Sequence, residues 1–190
     1  MDGADAVMLS GETAAGKYPI ESIKAMASVI WEADQILFDQ QGPVLWNDEL
    51  HDSMTPLEQE LDAVAASAVR SAQEMGAKMI VLITMSGAVA RAVARHRPDV
   101  PVIAFCTDVQ VARRLQIHRS IRPFMLQSEL DPGSSDTRMG FLRAEAVRTL
   151  KETGWATAGD RIIMVDRTKG KSHDMHDFSH NMKVVTLRDS

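Results

Sequence analysis

From residue 55 onward, apolar runs of six or seven residues alternate with stretches whose apolar positions recur every three to four residues. The runs Lys78–Thr84, Pro101–Thr107, Arg122–Gln127 and Arg161–Arg167 predict strands buried on both faces. Thr55-Pro56-Leu57-Glu58 reads as a capping box with proline at the first helical position. The helix it opens carries Leu57, Leu61, Val64, Ala65, Ala68 and Ala72 on one face, reaches Met75 and stops at Gly76. Further helices are predicted over Ala88–Arg97, ended by Pro98, from an Asp108 cap to His118, and over Arg138–Thr153, ended by Gly154. A loop, Thr168–Asn181, precedes a last strand at Met182–Arg188. Strands alternating with helices imply a three-layer α/β domain with a mainly parallel five-stranded sheet. The last strand follows without a helix, so it is expected to pair antiparallel.

The opening of the chain has a different organisation. Ala6-Val7-Met8-Leu9 reads as a buried parallel strand, followed by the glycine-punctuated loop Ser10–Lys17. Pro19 then starts a helix to about Phe38, with Ile20, Ile23, Met26, Ala27, Ile30, Ile36 and Leu37 at helical spacing. A parallel strand needs neighbours, and this one has none nearby in the sequence. Residues 1–38 are therefore expected to belong to a larger domain, with 39–54 a linker and 55–190 a second, complete domain.

The 190-residue chain is 45% hydrophobic and 25% charged, an ordinary globular composition. No apolar run approaches the roughly 20 residues of a membrane span, and no basic-then-apolar leader opens the chain. The lone Cys106 excludes an internal disulfide framework and any multi-cysteine zinc site. A cytoplasmic location fits that cysteine usage. The net charge of −5 is unevenly spread. Residues 1–60 hold twelve Asp and Glu against Lys17 and Lys24, a net of −10. The rest hold nineteen basic and fourteen acidic groups, a net of +5. Nucleic acid is a poor partner for such a chain, whereas a small anion suits its second part.

Ligands of open α/β sheets bind beyond the carboxyl ends of the strands. The first such end is Thr84-Met85-Ser86-Gly87, directly before a helix. Two hydroxyls, a glycine and helix-terminal amides suit a phosphate group. A plain strand-to-helix turn with Ser86 as N-cap explains the same residues. Arg91 and Arg95 share a helix face nearby, and Lys169 and Lys171 in the long loop can close over an anion. His173, His176 and His180 with Asp174 and Asp177 match no closed four-ligand spacing, so no metal is assigned. Ser10, Ser86 and Ser134 have no motif partners, and Cys106 reads as a small buried hydrophobe. These residues alone lead to an α/β domain with a candidate phosphate site and no catalytic group.

The run Asp2-Gly3-Ala4-Asp5-Ala6-Val7-Met8-Leu9-Ser10-Gly11-Glu12-Thr13-Ala14-Ala15-Gly16-Lys17-Tyr18-Pro19 resembles pyruvate kinase at its last barrel strand and helix. The remainder is similar to that family's C-terminal domain in Thr84-Met85-Ser86-Gly87, Arg97-Pro98 before Pro101-Val102-Ile103-Ala104, and Gly159-Asp160 before the fourth strand. The resemblance implies an enzyme that transfers phosphate from phosphoenolpyruvate to ADP with Mg²⁺ and K⁺, as a homotetramer. It implies that the catalytic lysine, the metal-binding acids, the K⁺ cage and the phosphate-binding arginines lie in barrel segments outside these residues. No catalytic residue and no cofactor are therefore assigned to this chain, and on its own it is expected to be inactive. Its expected role is regulatory and inter-subunit, binding a sugar phosphate or another phosphorylated effector through Thr84, Ser86, Gly87, Arg91, Lys169 and Lys171. The family's fructose-bisphosphate responders carry Thr-x-Ser-Gly-x-Ser, and Val89 stands here in place of the last serine. Their further arginine has Arg138 and Arg143 as its nearest counterparts. An oligomerisation module with a vestigial pocket is the alternative, and a dimer of this chain is a possible form of it.

Overall fold

The computed structural model describes residues 4–40, 52–126, 135–169 and 178–188, and divides into two compact units, Met1–Trp46 and Asn47–Ser190. In the first unit, α1 (Gly11–Ala14) and α2 (Pro19–Gln40) are helical. The strand expected at Ala6–Leu9 is absent: residues 6–10 carry no regular structure, and Val7 and Met8 are exposed. An apolar run becomes a strand only where a neighbour takes up its backbone groups, and none of the described residues does so. The apolar positions of α2 keep their predicted spacing, yet Ile20, Ile23, Val29 and Trp31 are all more than half exposed.

The second unit runs α3 (Pro56–Glu74), β1 (Met79–Thr84), α4 (Ala88–Arg95), β2 (Val102–Cys106), α5 (Val109–Leu115), β3 (Ile121–Met125), α6 (Ser135–Glu152), β4 (Arg161–Lys169) and β5 (Phe178–Thr186). The sheet order is β3-β2-β1-β4-β5. β1 pairs in parallel with β2 and β4, β2 in parallel with β3, and only β4–β5 is antiparallel.

Alternation along the buried strands builds two cores. Ile80 and Leu82 of β1, Val102 and Ala104 of β2, and Ile163 and Val165 of β4 face α3, α4 and α5. Their neighbours Met79, Val81, Ile83, Ile103, Phe105, Ile162 and Met164 face α6 through Leu142, Ala146 and Leu150. α3 lays Ala65, Ala68 and Ala72 on the sheet, and these small residues allow a close approach. Its capping box forms as read: Thr55 Oγ1 accepts from the Glu58 amide at 3.4 Å, and the Thr55 amide donates to Glu58 Oε2 at 2.9 Å. Those return bonds hold the Glu58 carboxyl below its usual range.

The long loop expected at Thr168–Asn181 is shorter than its composition suggests. β4 continues to Lys169 and β5 begins at Phe178, with Arg167 opposite His180 and Thr168 opposite Ser179. Polar side chains support this extension across the ladder: Asn181 Nδ2 donates to Thr168 Oγ1 at 2.9 Å, and the Thr168 and Ser179 hydroxyls lie 3.4 Å apart. Lys171, His173, Asp174, His176 and Asp177 lie outside the described residues. Lys169 ends the β4 ladder opposite Phe178.

Candidate functional site

A cavity of about 480 Å³ opens at the carboxyl edge of the sheet in the second unit. That is within the size range of small-molecule sites. β1 and the turn after it contribute Ile83, Thr84, Met85 and Ser86; β2 contributes Thr107 just past its end. β4 supplies Asp166, Arg167 and Thr168, and β5 supplies His180. Leu57, Glu58 and Leu61 of α3 close one side, Met139 and Leu142 of α6 another, and Ala88 and Val89 open α4 against it.

Thr84 is buried, and its Oγ1 accepts from the Gly87 amide at 2.9 Å, which fixes the turn. Ser86 is exposed at the rim, and its Oγ accepts weakly from the Ala88 amide at 3.4 Å. Gly87, not Ser86, is the N-cap of α4 and makes no side-chain cap bond. Its φ of +77° is left-handed, and a Cβ there would lie 3.2 Å from Leu115 and 3.3 Å from Val111. Arg91 does not reach the cavity lining: its guanidinium donates from Nη1 to the Ser86 carbonyl at 3.2 Å. It steadies the turn from behind. Arg95, one turn further on, is drawn to Asp62 of α3 at 3.3 Å, and His96 Nε2 sits 3.0 Å from the same carboxylate. The two arginines thus tie down α4 rather than form an anion face.

Thr84 and Ser86 are therefore brought together at the cavity, with Gly87 and Arg91 shaping the turn between them. Sequence reasoning missed the groups delivered by the far strands. Asp166 is 1% exposed and lies at the end of an apolar strand. Arg143 of α6 meets it with two bonds, Nε to Oδ2 at 2.6 Å and Nη2 to Oδ1 at 2.7 Å, and Asn181 Nδ2 donates to Oδ1 at 3.3 Å. A fork-on-carboxylate pair of this kind satisfies a charge that could not otherwise be buried. The run Arg161–Arg167 held the available signal: a carboxylate in a strand buried on both faces demands a partner. His180 is held below the usual imidazole range, first by burial and then by the Arg167 charge facing it, against a smaller opposing pull from Glu60.

The described residues contain no group of three or more His, Cys, Asp or Glu able to hold a metal ion. No helix among them is long and apolar enough to cross a membrane.

This architecture, and the sequence behind it, match a known domain. The family model described as pyruvate kinase, alpha/beta domain, matches residues 62–184, most of the second unit. The chain belongs to the pyruvate kinase family. Pyruvate kinase 2 of Candida glabrata is 37% identical over 173 residues, 90% of this chain and 32% of that protein. The pyruvate kinase of Lactococcus lactis subsp. lactis is 39% identical over 165 residues, 87% of this chain and 30% of that one. Among solved structures, Cryptosporidium parvum pyruvate kinase in complex with ADP aligns with a TM-score of 0.67 at 30% identity, covering 95% of this chain and 33% of the other. The chain spans about a third of the length of the pyruvate kinases it matches.

Proposed function

We propose that this chain is the regulatory and inter-subunit α/β portion of a pyruvate kinase, an enzyme that transfers phosphate from phosphoenolpyruvate to ADP. Its cavity at the sheet's carboxyl edge takes a small phosphorylated effector. One observation carries the reading: four hydroxyl side chains, Thr84, Ser86, Thr107 and Thr168, line one cavity beside the start of α4, together with Arg167 of β4. Hydroxyls, a guanidinium and helix-terminal amides are the groups that recognise phosphate oxygens. Lys169 closes the same strand end by its position in β4, and Lys171 follows it in sequence.

The assembly role rests on β5. It is a nine-residue strand at the edge of the sheet, paired among the described residues on its β4 side, with Met182 and Val184 exposed. Such an edge is suited to receive a second copy of the chain. The exposed apolar face of α2 supports the companion reading that residues 1–38 complete a catalytic barrel together with further chain.

Thermal denaturation of the chain with phosphate monoesters tests the effector role. Ligand at about 100 times its Kd contributes roughly 2.7 kcal/mol of stability. Ser86→Leu, which fills the rim, should abolish the gain. No shift with any phosphate ester at millimolar concentration would leave the assembly role alone. Phosphoenolpyruvate turnover by this chain above a buffer blank would refute the assignment of the catalytic groups to other segments.

A further inference from the structure

The cavity's wall is largely apolar. Leu57, Leu61, Ile83, Val89, Met139 and Leu142 form most of it, and the thioether of Met85 stands exposed at the rim. The polar groups gather at one end, where β1 and β4 finish. The charges there nearly cancel. Asp166 is matched by Arg143, and Glu58 is held by the Thr55 amide and hydroxyl at 2.9 and 2.7 Å. Among the described residues of the lining Arg167 is the arginine, and His180 opposite it is held below the usual imidazole range by burial and by that charge.

We propose that the ligand of this cavity is a phosphate monoester carried on a flat apolar body, of the aryl phosphate class, rather than a compact sugar bisphosphate. This rests on the reading of the cavity as an effector site, and narrows the class of effector. A sugar bisphosphate brings close to four negative charges and hydroxyls on every face. Those hydroxyls would be desolvated against leucine, isoleucine and methionine without partners, and the polar end of the cavity has room for one phosphate group beside Thr84, Ser86 and Thr168. An aryl phosphate divides as the cavity does. Its phosphate meets the Thr84, Ser86 and Thr168 hydroxyls and Arg167, whose five donors can serve a ligand beside an existing contact. Its ring lies against the apolar wall, and Met85 gives the rim a side chain able to adapt to an arene. Val89 fits the same division: where a serine would add a donor for phosphate, it extends the apolar wall.

The test is calorimetry on the full 190-residue chain with 1-naphthyl phosphate, inorganic phosphate, 1-naphthol and fructose 1,6-bisphosphate. Naphthyl phosphate should bind roughly ten- to a hundred-fold more tightly than inorganic phosphate, as burial of about 100 Å² of arene surface implies. It should also bind at least about ten-fold more tightly than the bisphosphate. Met85→Ser, at an exposed position, should weaken naphthyl phosphate several-fold and leave inorganic phosphate unchanged. Arg167→Gln should weaken both and leave naphthol unchanged. Bisphosphate binding as tight as naphthyl phosphate, or tighter, overturns this proposal while the effector reading stands. Naphthol binding as tight as its phosphate, or no binding by any probe, overturns both.

Discussion

Removing the Arg143 guanidinium isolates the most deeply buried charge of the α/β unit. Arg143→Met keeps the aliphatic packing but leaves the Asp166 carboxylate, with no side-chain exposure, with Asn181 at 3.3 Å as its remaining side-chain partner among the described residues. Breaking a buried pair by deleting one partner costs about 3–5 kcal/mol, because the remaining charge stays desolvated. Arg143 is itself 22% exposed, so water can enter from its side, and the lower end, about 3 kcal/mol, applies. With a urea slope of about 2 kcal/mol/M, the unfolding midpoint should fall by roughly 1.5 M. Far-UV circular dichroism over a urea series reads that midpoint directly. The double replacement Arg143→Met with Asp166→Leu removes both charges and should regain most of the loss. A midpoint change below about 0.25 M for the single variant, or a double variant less stable than the single, would refute this reasoning.

Gly87→Ala should cost about 1–2 kcal/mol by urea unfolding, since its φ of +77° is one that L side chains rarely adopt and Leu115 and Val111 stand in the way. Cys106, fully buried at the end of β2, has its thiol pushed up to about 11 by burial and then by Asp108; it should resist a disulfide reagent at pH 8 and react in urea. The Asp160 carboxyl is held below its usual range, first by Lys78 at 2.7 Å and then by the Thr157 amide. A lowered acid stabilises the fold above its unfolded pKa of about 3.9 and loses that contribution as pH falls through the folded value. The stability gap between the chain and Asp160→Asn should therefore be present at pH 6 and close on acidification.

The α/β scaffold was legible because its strands are buried on both faces and its helices are punctuated by local chemistry. Pro98, Gly76, Gly154 and the Thr55–Glu58 box each end or start an element by their own stereochemistry. Ala6–Leu9 shows where such reading stops: its apolar content is that of a strand, but pairing is a property of neighbours. The extension of β4 and β5 was obscured because Thr168, Ser179, His180 and Asn181 look like loop residues. They are ladder residues whose polar side chains bond one another across the strands. Within the site, Thr84 and Ser86 could be placed because they follow a strand directly. Arg143 and Asp166 are 23 positions apart, and nothing local marks that pair except the cost of a carboxylate inside an apolar strand.

The effector reading is tested most directly by amide chemical shifts of the ¹⁵N-labelled chain during titration with a phosphate monoester. Saturable shifts should centre on Gly87, Ala88, Val89 and Thr168, with the amides of β3 and the far end of α3 unmoved. Shifts confined to residues away from the carboxyl edge of β1 and β4, or no shifts at millimolar ligand, would contradict it.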